Sequence, residues 1–328
     1  MLLDTFGRVA TDLRVSLTDR CNLRCSYCMP AEGLDWLPAP EMLTDDEVVR
    51  LVTVAVGLGV KEVRFTGGEP LLRKGLVDIV GRVAALEPRP HLSLTTNGIG
   101  LARTAVALKA AGLDRVNVSL DTLDRERFVA LAKRDRLDDV LAGLAAAADA
   151  GLVPVKVNAL LMRGVNEDEA PALLRWCLER GYELRFIEHM PLDAQHAWKR
   201  SSMVTGEEIL AMLRAEFDLA PESALERGSA PAETWLVDGG PGRVGVIGSV
   251  TQPFCGACDR VRLTADGQIR NCLFATGETD LRSALRSGAD EAELGELLKA
   301  SLLAKKAGHG IDDPAFLQPA RPMSAIGG

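Results

Sequence analysis

The chain has no surplus of positive charge: 38 Lys and Arg stand against 46 Asp and Glu, a formal charge of −8. A broad nucleic-acid or anionic-membrane footprint is thereby disfavoured, and any polyanion must be held by a local cluster of Arg and Lys. No apolar run approaches the roughly 20 residues of a membrane span. No basic leader followed by an apolar core opens the sequence, so no signal peptide is expected. Aromatic residues make up only 4% of the 328 positions, and the four histidines form no ligand pair. The dominance of Ala, Leu, Val and Gly suits helices packed on parallel strands. There is no internal repeat, and no low-complexity block beyond the Ala-rich stretch 141–150. Seven cysteines without a secretory signal read as cytosolic thiols and metal ligands, so a cytoplasmic protein is expected.

Six of those cysteines form two triplets, and each triplet lacks a fourth member. Cys21, Cys25 and Cys28 have CxxxCxxC spacing; Cys255 and Cys258 form a CxxC followed by Cys272. A closed tetrahedral zinc site or a cubane iron–sulfur cluster takes four protein ligands. Two incomplete sets suggest two metal centres, each with a position open to something that is not protein. Spacing alone leaves other readings for the first triplet, a zinc knuckle with a distant fourth ligand or plain thiols. The second could be a structural zinc completed by His309 or an acidic residue. Cys177, in helical surroundings, reads as a buried core thiol.

From residue 12 to about 190, short β-branched runs alternate with amphipathic helical stretches. Strands are expected at 14–18, 62–66, 92–96, 115–120, 155–160 and 183–190. Helices are expected at 44–58, 75–86, 101–111, 138–150 and 168–180. Thr44 followed by Glu47 forms a capping-box pattern, and Gly112, Gly151 and Gly181 sit where helices should stop. Six βα units in a row mean a parallel sheet, doubly wound or curled into a barrel. Alternation puts Arg14, Ser16 and Thr18 on one face of the first strand. It groups Arg64 with Thr66, then Ser93, Thr95 and Asn97, then Asn117, Ser119 and Asp121, and finally Lys156 with Asn158. A doubly wound sheet is apolar on both faces. Five strands with one polar face each point instead to an open, curled sheet whose concave face lines a polar cavity; the alternative is a sheet with one solvated face. Beyond residue 200 the rhythm ends. A helix is expected at 206–216, an irregular stretch at 220–241, short strands at 243–247, 261–264 and 268–270, and two helical stretches within 278–303. The strand from Arg260 to Thr264 turns at Asp266-Gly267, which returns Cys272 toward Cys255 and Cys258 and puts Arg260, Arg262 and Thr264 on one face. Residues 319–328 have the composition of a tail.

CxxxCxxC with Tyr27 before the last Cys resembles the signature of the radical S-adenosylmethionine superfamily. Thr66-Gly67-Gly68-Glu69-Pro70, at the end of the second strand, resembles that superfamily's GGEP motif. The block from Arg14 to Cys25, the run 66–73, the second triplet and the terminal Gly327-Gly328 together resemble the GTP 3′,8-cyclase family of molybdenum cofactor (molybdopterin) biosynthesis. The resemblance covers essentially the whole chain.

That resemblance implies an incomplete, open (βα)6 TIM-type barrel over 1–204, and a C-terminal cluster-binding region over 205–328. It implies two [4Fe-4S] clusters, on Cys21, Cys25 and Cys28 and on Cys255, Cys258 and Cys272. It implies contacts to S-adenosylmethionine from Tyr27, Gly68, Ser119 and Met190. Contacts to GTP are implied for Arg14, Arg64, Thr95, Lys156, Arg260 and Arg262. Arg260, Arg262 and the tail glycines Gly327 and Gly328 are implied at the reacting nucleotide. In the implied reaction a 5′-deoxyadenosyl radical takes the ribose 3′ hydrogen of GTP, and the sugar closes onto guanine C8. An electron donor and the next enzyme of the pathway are the implied partners, a homodimer is left open, and neither nucleic acid nor membrane is expected. Other radical S-adenosylmethionine enzymes with an auxiliary cluster, such as peptide maturases, and non-catalytic iron–sulfur electron carriers are the competing readings.

Overall fold

Strands with one polar and one apolar face, covered by helices on the apolar side alone, can curl so that the polar face lines a cavity. The computed structural model describes residues 1–223 and 227–327. The barrel half runs β1 (Asp12–Ser16), α1 (Asp45–Gly57), β2 (Glu62–Thr66), α2 (Leu76–Ala84), β3 (His91–Thr96), α3 (Leu101–Ala110) and β4 (Arg115–Ser119). It continues through α4 (Arg125–Ala132), α5 (Leu137–Asp149), β5 (Lys156–Leu160), α6 (Ala170–Glu179) and β6 (Glu183–Ile187). The remainder is α7 (Gly206–Arg214), β7 (Leu219–Pro221), β8 (Glu233–Val237), β9 (Arg243–Ile247), β10 (Arg260–Leu263), β11 (Gln268–Arg270) and β12 (Thr279–Asp280). Helices α8 (Leu281–Arg286), α9 (Glu291–Leu303) and α10 (Met323–Ile326) end the chain.

All twelve strands share one sheet, in the order β12-β11-β10-β1-β2-β3-β4-β5-β6-β9-β8-β7. The six central strands are parallel, as the βα rhythm requires. Two more parallel strands come from the C-terminal half: β10 pairs with β1, Arg262 opposite Arg14, and β9 pairs with β6, Gly245 opposite Arg185. Neighbouring strands lie about 4.8 Å apart, so a flat array of eight would span roughly 34 Å. One cavity is nonetheless lined by residues of all eight, so the sheet curls around it. The sheet is not closed, because its outer strands β12 and β7 are not paired with each other.

The apolar parity faces the helices. Val15, Val63, Phe65, Leu92, Leu94, Val116, Val118, Val157, Leu184 and Phe186 are all fully buried there. The capping box opens α1, with the Glu47 amide donating to Thr44 Oγ1 and the Thr44 amide to Glu47 Oε2 at 2.8 Å. Gly112, Gly151 and Gly181 take positive φ just past α3, α5 and α6, where helices were expected to stop. Cys177 is fully buried, and burial pushes its thiol up to about 12.

Two expectations need correction. The stretch 220–241 is not irregular throughout: Glu233–Val237 forms β8, antiparallel to both β9 and β7. Its Thr-Trp-Leu-Val core carries the strand signal, which the flanking Pro and Gly obscure. Helix α4 lay outside the expected set; Asp124 caps it by accepting the Arg127 amide at 2.8 Å. The tail is also built into the fold, with Ile326 fully buried against Leu192 and Phe274. Among the described residues no helix is long and apolar enough to cross a membrane.

Candidate active site

Loops at the C-terminal ends of parallel strands form the mouth of a barrel, and the N-terminal triplet follows β1 directly. Cys21, Cys25 and Cys28 line the central cavity, and Cys255, Cys258 and Cys272 line it as well. All six are free thiols, each partly buried. Among the described residues no three His, Cys, Asp or Glu side chains could together hold a metal ion. Thiolate sets of this kind suit iron–sulfur clusters.

The two triplets differ electrostatically. Burial and the neighbouring Cys21 push the Cys28 thiol up to about 12, with the nearby Ser324 as a partial offset. Burial and Asp121 raise Cys25 well above its ordinary value. Burial also acts on Cys258, but Arg260 and Lys305 outweigh it and bring that thiol down to about 7. Thiols held neutral by burial become ligands once a cationic centre offsets the cost of their charge. Both sets therefore fit clusters, the second with cations already in place.

Gly67 and Gly68 let the β2 loop meet the β1 loop at backbone contact. Gly67 has φ +149°, and its amide-linked neighbour Gly68 donates to Thr18 O at 2.7 Å. A Cβ on Gly68 would lie 2.4 Å from both Asp19 O and Arg20 O. This close approach fits a cradle for a small ligand beside the first triplet. Glu69, fully buried, ties the cradle to β3 by accepting from Thr96 Oγ1 at 2.6 Å, the Asn97 amide at 2.7 Å and the Leu71 amide at 3.0 Å. Burial outweighs these bonds and raises its carboxyl from 4.5 to about 7. Between those values the folded chain keeps a proton that the unfolded chain has lost, so stability falls as pH rises through the window. The slope approaches about 1.4 kcal/mol per pH unit. Glu69→Gln is expected to flatten it, measured by urea unfolding of the cluster-free protein from pH 4.5 to 7.5. An unchanged slope would show that Glu69 is ionised throughout.

Tyr27, Gly68, Ser119 and Met190 all line the cavity. Tyr27 donates to Asp121 Oδ2 at 2.6 Å, and burial raises that carboxyl to about 6. His189, for which the sequence suggested no role, stands edge-on to Tyr27 at 6.2 Å in the same wall.

Arg14, Arg64, Thr95, Arg260 and Arg262 line the cavity too. Arg185 joins them, with Nη2 donating to Asn117 Oδ1 at 2.7 Å. It was not singled out from the sequence, although alternation extended into β6 puts it on this face. Five lining arginines thus confront one lining carboxylate, Asp121. Two further acids flank the group, Asp12 at 3.9 Å from Arg64 and Asp259 at 3.8 Å from Arg260. Burial would raise Asp12, but Arg64, Arg14, Arg260 and Arg262 outweigh it and hold the carboxyl below its ordinary value. Burial, reinforced by neighbouring guanidiniums, lowers Arg14 strongly, Arg185 to about 9 and Arg262 to about 10. The Nε atoms of Arg14, Arg185 and Arg260 are buried without a hydrogen-bond partner. Such a set is complementary to a polyanion.

Lys156 is placed apart from this group. It lies on the same face of β5, but in an adjoining cavity beyond Arg185, with Nζ 2.5 Å from Glu183. Gly327 stands at the ends of β1 and β2, close to Ser16 and Thr66, and its carbonyl accepts from Arg262 Nη1. Gly328 lies outside the described residues. Helix α10 therefore passes near Cys28 at Ser324, and Gly327, just past its end, meets Arg262 on the side of the second triplet.

Residues 15–177 match the radical SAM superfamily, and residues 182–311 match Molybdenum Cofactor Synthesis C. The chain is 70% identical to a Streptomyces coelicolor protein named GTP 3′,8-cyclase, covering all of this chain and 96% of the relative. It is 62% identical to GTP 3′,8-cyclase 2 of Mycobacterium tuberculosis, over all of this chain and 92% of that one. In fold it is similar to Streptococcus suis SuiB bound to S-adenosylmethionine. There the TM-score is 0.62 at 14% identity, over 89% of this chain and 68% of the other.

Proposed function

The chain belongs to the GTP 3′,8-cyclase family of radical S-adenosylmethionine enzymes, and on that premise we propose how its own residues divide the work of converting GTP to (8S)-3′,8-cyclo-7,8-dihydroguanosine 5′-triphosphate. The observation that carries the division is one cavity lined by both thiol triplets and five arginines. When two [4Fe-4S] clusters and S-adenosylmethionine are bound, the chemistry they supply is one-electron cleavage of a carbon–sulfur bond, with removal of the ribose 3′ hydrogen. Everything else falls to the protein.

Cys21, Cys25 and Cys28 hold the first cluster, and Tyr27, Gly68, Ser119 and Met190 seat S-adenosylmethionine beside it. Cys255, Cys258 and Cys272 would hold the second cluster, beside which the guanine base would lie next to Arg260 and Arg262. Arg14, Arg64, Arg185, Arg260 and Arg262 neutralise the triphosphate, and Thr95 contacts the nucleotide from β3. Lys156 can serve the phosphates only by exchanging Glu183 for them. Arg262 and the tail glycines Gly327 and Gly328 close on the reacting ribose and help to exclude water. Positioning of this kind lowers the barrier by removing the entropy of encounter.

The catalytic unit divides into a partial barrel, 1–204, and a C-terminal region, 205–328. The enzyme works in the cytoplasm, takes its electron from a separate reductant, and hands its product to the next step of molybdenum cofactor synthesis.

Two measurements test this reading. Anaerobic incubation with GTP, S-adenosylmethionine and dithionite should yield a nucleotide isomeric with GTP, identified by mass spectrometry and by its acid degradation to a pterin. Unchanged GTP would overturn the reading. Reconstituted protein should also hold about eight irons, four per cubane. Full activity with four irons and one zinc would rule out the two-cluster assignment.

A further inference from the structure

One buried cation has no place in the work described so far. Lys305 lies just past the end of α9 and is only 4% exposed. Its ammonium donates to Arg260 O at 2.9 Å and to Cys258 O at 3.2 Å, and it stands 3.5 Å from Cys258 Sγ. None of these partners is a carboxylate, and Lys305 appears in no ion pair among the described residues. An ammonium withdrawn from water without a counter-anion is costly. Among its hydrogen-bond partners in the described residues, the one that can carry negative charge is the Cys258 sulfur.

The first triplet has no equivalent. Donors to its sulfurs include the Leu23 amide and the Asn97 side-chain amide, at 3.5 and 3.8 Å from Cys21, both neutral. Arg24, which lies between Cys21 and Cys25, turns its Nη1 to the carbonyls of Cys21 and Leu23. Among the described residues, only the C-terminal triplet receives a side-chain ammonium directly at sulfur.

Resting on the two-cluster reading, we infer that Lys305 is a positioning residue that sets the reduction potential of the C-terminal cluster. A cubane gains one negative charge when it accepts one electron. A fixed positive charge against a ligand sulfur stabilises that reduced state more than the oxidised one, and so raises the potential. The same ammonium ties Cys258 to Arg260, so cluster geometry and a substrate-facing arginine share one anchor.

The test is an EPR-monitored potentiometric titration of the fully loaded protein. The signal that responds to added S-adenosylmethionine, assigned to the first cluster, serves as the internal reference. In Lys305→Met the reduced-to-oxidised ratio of the C-terminal cluster at fixed potential is expected to fall about tenfold, equivalent to about 59 mV for one electron. Lys305→Arg, which keeps the charge, should stay near wild type, and the reference cluster should not move in either variant. Equal potentials in wild type and the Met variant would overturn the inference. So would loss of four irons from both variants, since Lys305 would then act only as packing. Loss from the Met variant alone, with the Arg variant near wild type, would support the need for charge at that sulfur. Wild-type protein that holds only one cluster would overturn the two-cluster reading itself, which separates the two failures.

Discussion

Gly68→Ala is expected to empty the first triplet of iron while leaving the second loaded. The added methyl carbon would lie 2.4 Å from two backbone carbonyl oxygens, Asp19 O and Arg20 O. Neither can yield cheaply. Arg20 O already accepts the Glu69 amide at 2.7 Å, and the Gly68 amide donates to Thr18 O at 2.7 Å. The overlap therefore pushes the whole 18–20 segment, and Cys21 is the next residue along. Overpacking against backbone costs on the order of 3 kcal/mol or more. Iron should drop from about eight to about four per chain, with S-adenosylmethionine cleavage abolished and the midpoint of urea unfolding lowered. Gly256→Ala is the control, because a Cβ there meets nothing within 4 Å although the residue sits inside the second triplet. If Gly68→Ala retains eight irons and full cleavage activity, the close approach of the two loops is not what builds the cradle.

The second large effect is expected from Arg262→Ala. This side chain is buried, lines the cavity and donates to the carbonyl of Gly327. Removing one member of a buried charged pairing costs about 2–5 kcal/mol. GTP cyclisation should accordingly fall in kcat/KM on the order of 100-fold or more. Cleavage of S-adenosylmethionine in the absence of GTP should persist, because none of the residues assigned to that cofactor touches Arg262. Deleting Gly327 and Gly328 separates two roles. If the arginine acts only by holding the tail, the deletion should match the substitution, and the double variant should be no worse than either alone. If it also binds the triphosphate, the double variant should be worse. Equal loss of cyclisation and uncoupled cleavage in Arg262→Ala would place the arginine outside the substrate's binding set.

Much of the cavity was legible before any coordinates, because a strand has period two. Once Val15, Phe65, Leu94 and Val118 mark the helix-covered face, Arg14, Arg64, Thr95 and Ser119 must share the other. The Asp266-Gly267 turn is local in the same sense: it folds β11 back on β10 and carries Cys272 toward Cys258. The extent of the sheet was less legible. Strands β9 and β10 join its two flanks in parallel from far along the chain, and nothing in their own short sequences names their neighbours. Lys156 shows the limit of alternation. Its parity is right, yet its height on β5 puts it beside Glu183 rather than among the lining arginines.

By itself the amino-acid sequence determined the two triplets of thiols, the glycine run after β2, the polar parity of five strands and the family that these features resemble. Those are properties of spacing and period, which act over a few residues. Tertiary structure alone decided that five arginines converge with a single lining carboxylate, that the tail reaches Arg262, and that Lys305 meets Cys258 from 47 residues away. Such contacts depend on which distant segments share a wall. That is settled by burial of the whole apolar face, and it leaves no periodic trace in the residues that happen to meet.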